Sequence, residues 1–152
     1  MSNQWKEFQR RTARTLQGKV IVREHLGVTA ADVTSPFFLV ECKYDKRVFQ
    51  PAFLIQAWRQ LESYWLDHVH GTTDKTEIKL PLLFTQHSLQ RSSTACWTLP
   101  EIFLFLEDTL SKTTLLKLLS VTYEDIPELS SNICCMPVKV FNNLEFIKRL
   151  NS

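Results

Sequence analysis

The sequence predicts an α/β domain, a central mixed β-sheet of about five strands flanked by helices in the order α-β-β-β-α-β-β-α, with a C-terminal extension. Three observations predict it. Short apolar runs bounded by turn residues recur as far as Thr98. The stretch D-V-T-S-P-F-F-L-V-E-C-K, Asp32 to Lys43, reads as two short strands joined across a Ser-Pro turn. A long apolar stripe of helical period, opened by Pro51 and ended by Gly71, separates the strands before it from those after it. With 152 residues, 44% of them hydrophobic, the chain is expected to form one domain, residues 1–152, with its core over roughly 3–108 and the extension over roughly 109–152.

In order, residues 3–17 place Trp5, Phe8, Thr12 and Leu16 at helical spacing, and Gly18 follows as a stop. K-V-I-V-R, 19–23, is a strand, and H-L-G-V-T-A-A is a loop leading into a short strand that ends near Asp32. In the strand over 37–44, Phe37, Leu39, Glu41 and Lys43 share one face, and Phe38, Val40, Cys42 and Tyr44 the other. Both faces are therefore covered and the strand is internal. D-K-R-V-F-Q is a basic loop. The long helix turns Leu54, Ala57, Trp58, Leu61, Trp65 and Val69 inward, with Gln56, Gln60 and Tyr64 on a polar edge one turn apart. L-P-L-L-F-T-Q-H-S is a further strand, H-S-L-Q-R-S-S a turn, A-C-W-T-L the last core strand, and Pro100 starts the helix P-E-I-F-L-F-L-E-D-T-L. Beyond Ser111 the pattern weakens. K-T-T-L-L-K-L-L-S-V-T-Y fits helix or strand, I-P-E-L-S-S-N a loop and N-I-C-C-M-P-V-K-V-F an extended segment. Asn142 with Glu145 resembles a capping box opening a terminal helix.

The hairpin is also the candidate site. Glu41 and Lys43, two apart on a strand, project to one face, and Asp32 lies close by on the neighbouring strand. Two carboxylates and an ammonium on one patch are costly in desolvation and repulsion unless a divalent cation sits between the acids. On the first helix, Glu7, Arg11 and Arg14 share a face, which suits either a local ion pair or a place for Glu7 at the rim of that site.

The 18 basic and 16 acidic residues nearly balance, yet Lys6, Arg10, Arg11, Arg14, Lys19 and Arg23 face only Glu7 in the first 23 residues. That asymmetry suits either a solvated helix face or an edge turned to a polyanion. Cys42, Cys96, Cys134 and Cys135 have no C-x-x-C spacing, and Cys134 and Cys135 read as strand filler on opposite faces. His68 and His70 do not share a helix face and make a poor metal pair. No apolar run resembles a signal peptide or a membrane span, so a reducing cytoplasm and no membrane partner are expected.

With D-x8-E-x-K, the hairpin and the flanking helices in view, the chain resembles the PD-(D/E)XK nuclease superfamily over roughly residues 3–108. A basic helix bearing a glutamate, then Asp32, then V-E-C-K, then a helix, is most similar to the archaeal and phage Holliday-junction resolvases. Q-L-E-S-Y, Gln60 to Tyr64, is similar to the Q-L-x-x-Y motif of RecB-like nucleases. Residue 31 is Ala where the superfamily's name has proline, and the loop before Asp32 is not glycine-rich. The resemblance implies a restriction-endonuclease-like core and a magnesium-dependent endodeoxyribonuclease, with manganese as a substitute. It implies Asp32, Glu41, the Cys42 backbone carbonyl and Glu7 as metal ligands, Lys43 as the residue assisting the attacking water, and Gln60 against the site. Arg10, Arg11, Arg14, Lys46, Arg47 and Tyr64 would meet DNA. The expected substrate is four-way or other branched DNA, cut by an intracellular homodimer in recombination or repair. Another repair or restriction nuclease of the superfamily, or a member that binds DNA without cutting, is the alternative.

Overall fold

The computed structural model describes residues 3–21, 31–125 and 132–152. Its elements are α1 (Gln4–Thr15), β1 (Lys19–Val20), β2 (Val33–Thr34), β3 (Phe38–Tyr44), α2 (Pro51–Gly71), β4 (Leu80–His87), β5 (Gln90–Thr98), α3 (Pro100–Leu106), α4 (Lys112–Asp125), β6 (Cys134–Pro137), α5 (Val138–Phe141) and α6 (Glu145–Leu150). They form an α/β domain on a six-stranded mixed sheet ordered β1-β2-β3-β4-β5-β6. Only β3 and β4 are parallel, in register from Phe38 opposite Leu80 to Tyr44 opposite Gln86, and α2 makes the crossover between them. Among the described residues the order from α1 through α3 is the expected one. The continuation of β1 past Ile21 and the loop before Ala31 lie outside the described residues, as does the loop expected over 126–131.

Sheet position explains the composition of the strands. β4 is central and buried along nearly its whole length, which its run of leucines and phenylalanine requires. Leu54, Ala57, Trp58, Leu61 and Trp65 pack α2 onto one face of the sheet. Phe8, Thr12 and Ala13 pack α1 onto the other, where Phe8 meets Tyr44 and Phe141 meets Phe84 edge-on at 5.3 Å. α1 stops in a Schellman arrangement. The Gly18 amide donates to the Ala13 carbonyl at 2.8 Å, and the left-handed residue is Gln17, at φ 55. Gly18 is needed for space instead, since a Cβ there would lie 2.6 Å from the Thr34 carbonyl oxygen of β2.

Several expectations change. β5 begins at Gln90, so a polar stretch expected as a turn is strand, carried beyond the core by its ladder to β4. A-C-W-T-L is not the last strand, because β6 pairs with β5 and raises the sheet from about five strands to six. The short strand near Asp32 starts just after that residue. K-T-T-L-L-K-L-L-S-V-T-Y is helical, with Leu115 and Leu119 buried. Only Cys134–Pro137 of the expected extended segment is strand. Val138–Phe141 turns helical, which places Phe141 against Phe84 and overrides the β-preference of the valines. Asn142 is no N-cap. It closes α5, and α6 opens after Leu144 without a side-chain cap. Phe141, Leu144 and Ile147 join the same buried cluster as Phe8 and Leu82, and Gln17 bonds to Asn151 at 2.8 Å, so the C-terminal residues are built into the core. Among the described residues no helix is long and apolar enough to cross a membrane.

Candidate functional site

The Ser-Pro turn shapes the site from below. Ser35 Oγ accepts from the amides of Phe37 (3.2 Å) and Phe38 (3.0 Å), and the Ser35 amide donates to the Phe38 carbonyl at 3.0 Å. This side-chain turn supplies what glycine often supplies in a hairpin. It sets Val33 opposite Val40 and Thr34 opposite Leu39. One residue further out, the Asp32 amide donates to the Val40 carbonyl at 2.9 Å, and Asp32 Oδ2 accepts from the Cys42 amide at 2.8 Å. The Asp32 carboxylate is thereby held against the backbone of E-C-K. A strand residue's N–H and C=O point to the same edge, so the Cys42 carbonyl faces that edge too.

Asp32 is 7% exposed and Glu41 0%, and both line one cleft of about 340 Å³ with Lys43. The Lys43 ammonium donates to Gln60 Oε1 at 3.0 Å, and Gln60 Nε2 donates to the Tyr64 hydroxyl at 2.9 Å. A carboxamide orients the ammonium while leaving its charge in place. Gln60, two turns inside α2, thus ties the helix to the second charged residue of β3. A neighbouring cavity of about 500 Å³ shares Lys43, Arg47 and Phe53 with the cleft and adds Gln56 and Gln60. Gln56 is exposed and Gln60 half-buried. Burial, followed by the Asp32 charge, pushes the Cys42 thiol well up, so its sulfur is no nucleophile.

The structure does not bring Glu7 into the cleft. Its carboxylate pairs with Arg14 at 3.1 Å and Arg10 at 3.7 Å on the exposed side of α1, and the Arg14 hydrogen bond holds its pKa below the usual carboxylate range. Arg10, Arg14 and Lys46 are at the surface, whereas Arg11 is half-buried, donates to Gln86 and lines a separate cavity beyond Phe8. Arg47 lines the cleft with Nε and Nη2 each donating to Asp45 at 2.9 Å and its guanidinium carbon 4.8 Å from the Phe53 ring centre. That pairing lowers the Asp45 pKa to about 2. With the folded value depressed, the pair contributes fully above the ordinary carboxyl pKa of 3.8 and is lost only as pH falls through about 2.

Sequence reasoning missed Trp5, Gln9 and Phe53 as walls of the cleft. Trp5 shares its helical spacing with the buried Phe8, Thr12 and Leu16 but is 48% exposed, because the first turn of α1 overhangs the cleft. The spacing of Trp5 and Gln9, one helical turn apart, was the available signal. Tyr44, expected on the opposite face of β3, also reaches the cleft, and its hydroxyl contacts Gln4 and donates to the Ser88 carbonyl at 2.9 Å. No protein-family model, curated protein or solved structure matches the chain.

Proposed function

We propose that the protein is a metal-dependent DNA endonuclease of PD-(D/E)XK type that cuts branched DNA, in its most specific form a Holliday-junction resolvase. The observation that carries the proposal is the Asp32 carboxylate fastened to the Cys42 amide in the same cleft as Glu41 and Lys43. The hydrogen bond from Lys43 to Gln60, in the stretch that resembles Q-L-x-x-Y, supports it independently.

Two nearly inaccessible carboxylates on one cleft suit a hard divalent cation, which takes oxygen ligands and keeps several waters. Among the described residues no three His, Cys, Asp or Glu side chains gather into a metal-binding group, so the chain's share would be Asp32, Glu41 and the Cys42 carbonyl. When bound, magnesium or manganese supplies Lewis-acid polarisation of the phosphodiester and lowers the pKa of a coordinated water. Lys43 would serve the negative charge that builds on the phosphoryl oxygens. Its ammonium, aimed by Gln60, would donate to the nucleophilic oxygen or to a non-bridging oxygen; as the water oxygen bonds to phosphorus the bond to the 3′-oxygen breaks, the water's proton passes to solvent and the departing 3′-oxygen takes one from solvent. Glu7, held by two arginines, balances charge on α1 in this scheme, and Arg10, Arg14, Lys46 and Arg47 meet phosphates around the cleft. A four-way junction has two-fold symmetry and needs two nicks, so the working form is a C2 homodimer.

Gln60→Ala removes the acceptor that aims Lys43 and leaves the packed face of α2 intact. Single-turnover cutting is expected to fall about tenfold with DNA affinity unchanged. An equal loss of affinity and rate would place Gln60 in substrate binding instead. The proposal itself is tested by cutting of four-way, flap and linear duplex DNA with magnesium at fixed salt. Preference for the four-way junction supports a resolvase, and cutting of all three supports a general repair or restriction nuclease. Binding without metal-dependent cutting overturns the enzymatic assignment in favour of a DNA-binding role.

A further inference from the structure

On the face of the sheet away from Gln60, the Phe8 ring separates the carboxylate cleft from a second cavity of about 250 Å³. Arg11 of α1 and Arg91 of β5 open onto it beside Asn142, with Phe8 and Phe84 as apolar walls. Arg11 is fixed there without being neutralised. One guanidinium nitrogen donates to Gln86 Oε1 at 2.7 Å, and the guanidinium carbon lies 5.8 Å from the Phe8 ring centre. Gln86 is 4% exposed, and its Oε1 also accepts from the Thr94 hydroxyl at 2.8 Å, so the guanidinium rests on a buried support.

Among the described residues no carboxylate lines the cavity and neither Arg11 nor Arg91 forms an ion pair. Glu7, on the same helix, is taken by Arg10 and Arg14. Burial and then the Arg91 charge lower the Arg11 pKa, and the Glu7 carboxylate on the same helix works in the opposite direction. Two guanidinium groups brought together without an acid repel each other, and an anion with several acceptor oxygens relieves that repulsion through charge-assisted hydrogen bonds.

We propose that this cavity is a phosphate-binding pocket, distinct from the carboxylate cleft, in which Arg11 and Arg91 clamp a phosphate group with Asn142 as a further donor. The phosphate can come from a free nucleotide or from the backbone of a nucleic-acid strand, and either source offers the same oxygens. The pocket stands whether or not the cleft cuts DNA.

The test is a nuclear magnetic resonance titration of the full chain, without divalent metal, following the arginine Nε–H signals. Inorganic phosphate is the first probe, and deoxyadenosine monophosphate and a short single-stranded oligonucleotide are the second and third. Saturable shifts at Arg11 and Arg91 are expected, with affinity about tenfold weaker in Arg91→Ala and unchanged in Lys43→Ala. Arg91 is exposed, so its replacement leaves the fold in place. If the monophosphate binds more tightly than the oligonucleotide and falls with Arg91, the source is a free nucleotide; the reverse order with the same fall names a strand phosphate. Shifts that do not saturate, that keep the parent affinity in Arg91→Ala or that vanish in Lys43→Ala overturn the pocket. Loss of cutting in the cleft variants leaves all three arms unaffected, which separates failure here from failure of the nuclease proposal.

Discussion

Glu41→Gln is expected to reduce magnesium-dependent cutting by about a thousandfold or more, with affinity for branched DNA nearly unchanged. The substitution keeps the shape of a fully buried side chain while removing one of the two negative charges offered to a cation. On the proposed reading affinity survives because it would come mainly from cations elsewhere, among them exposed Arg10, Arg14 and Lys46. Lys43→Ala is expected to match it in rate, through loss of the ammonium aimed by Gln60. Thermal melting separates these effects from unfolding: Glu41→Gln should melt within a few degrees of the parent, since it keeps the volume and shape of the side chain. Single-turnover cutting and filter binding on the same junction provide the check. Undiminished cutting by both purified variants would remove Glu41 and Lys43 from the chemistry.

The largest expected loss of stability from the smallest change is at Gly18. A methyl group there would sit 2.6 Å from the Thr34 carbonyl oxygen and 3.1 Å from Ser35 Cβ, and a backbone carbonyl in a sheet cannot swing aside as a flexible side chain can. Gly18→Ala is therefore expected to cost about 3 kcal/mol, lowering the melting temperature by roughly 6–12 °C. Thr34 pairs with Lys19 on one side and Leu39 on the other, so pushing β2 outward also disturbs the register that brings Asp32 to the Cys42 amide. Cutting should fall further than stability alone explains. Gly71, at the exposed end of α2, is the control, because a Cβ there meets nothing within 4 Å. Gly71→Ala is expected to leave stability unchanged or raise it by up to about 1 kcal/mol. Equal melting temperatures for the two variants would refute the close approach at Gly18.

Local chemistry explains which features were legible in the sequence. The two-residue period of a strand suffices to put Glu41 and Lys43 on one face, and Ser35-Pro36 suffices to announce the hairpin beside Asp32. Pro51, Gly71 and the stripe from Leu54 to Trp65 delimit α2, with Gln60 on its edge. What escaped depends on distant partners. Helical phase shows that Trp5 and Phe8 share a side of α1, but where that helix overruns the sheet decides that Trp5 and Gln9 wall a cleft. Glu7 carries the same carboxylate whether it faces the cleft or Arg14, and only the rotation of α1 against β3 distinguishes the two. Val138–Phe141 has the composition of a strand, yet burial of Phe141 against Phe84 bends it into a helical turn. Arg11 and Arg91 lie far apart in the chain and come to one cavity only through the packing of α1 on the sheet, which no local pattern announces.

The claim on which the functional assignment rests is that Asp32 and Glu41 hold one hard cation between them. Electron paramagnetic resonance of manganese tests it directly, because the free ion's signal falls as the ion is bound. Saturable binding by the parent chain, lost in Asp32→Asn and in Glu41→Gln but retained in Glu7→Gln, is the expected result. Binding that persists with both carboxylates replaced would contradict a shared metal site at the hairpin.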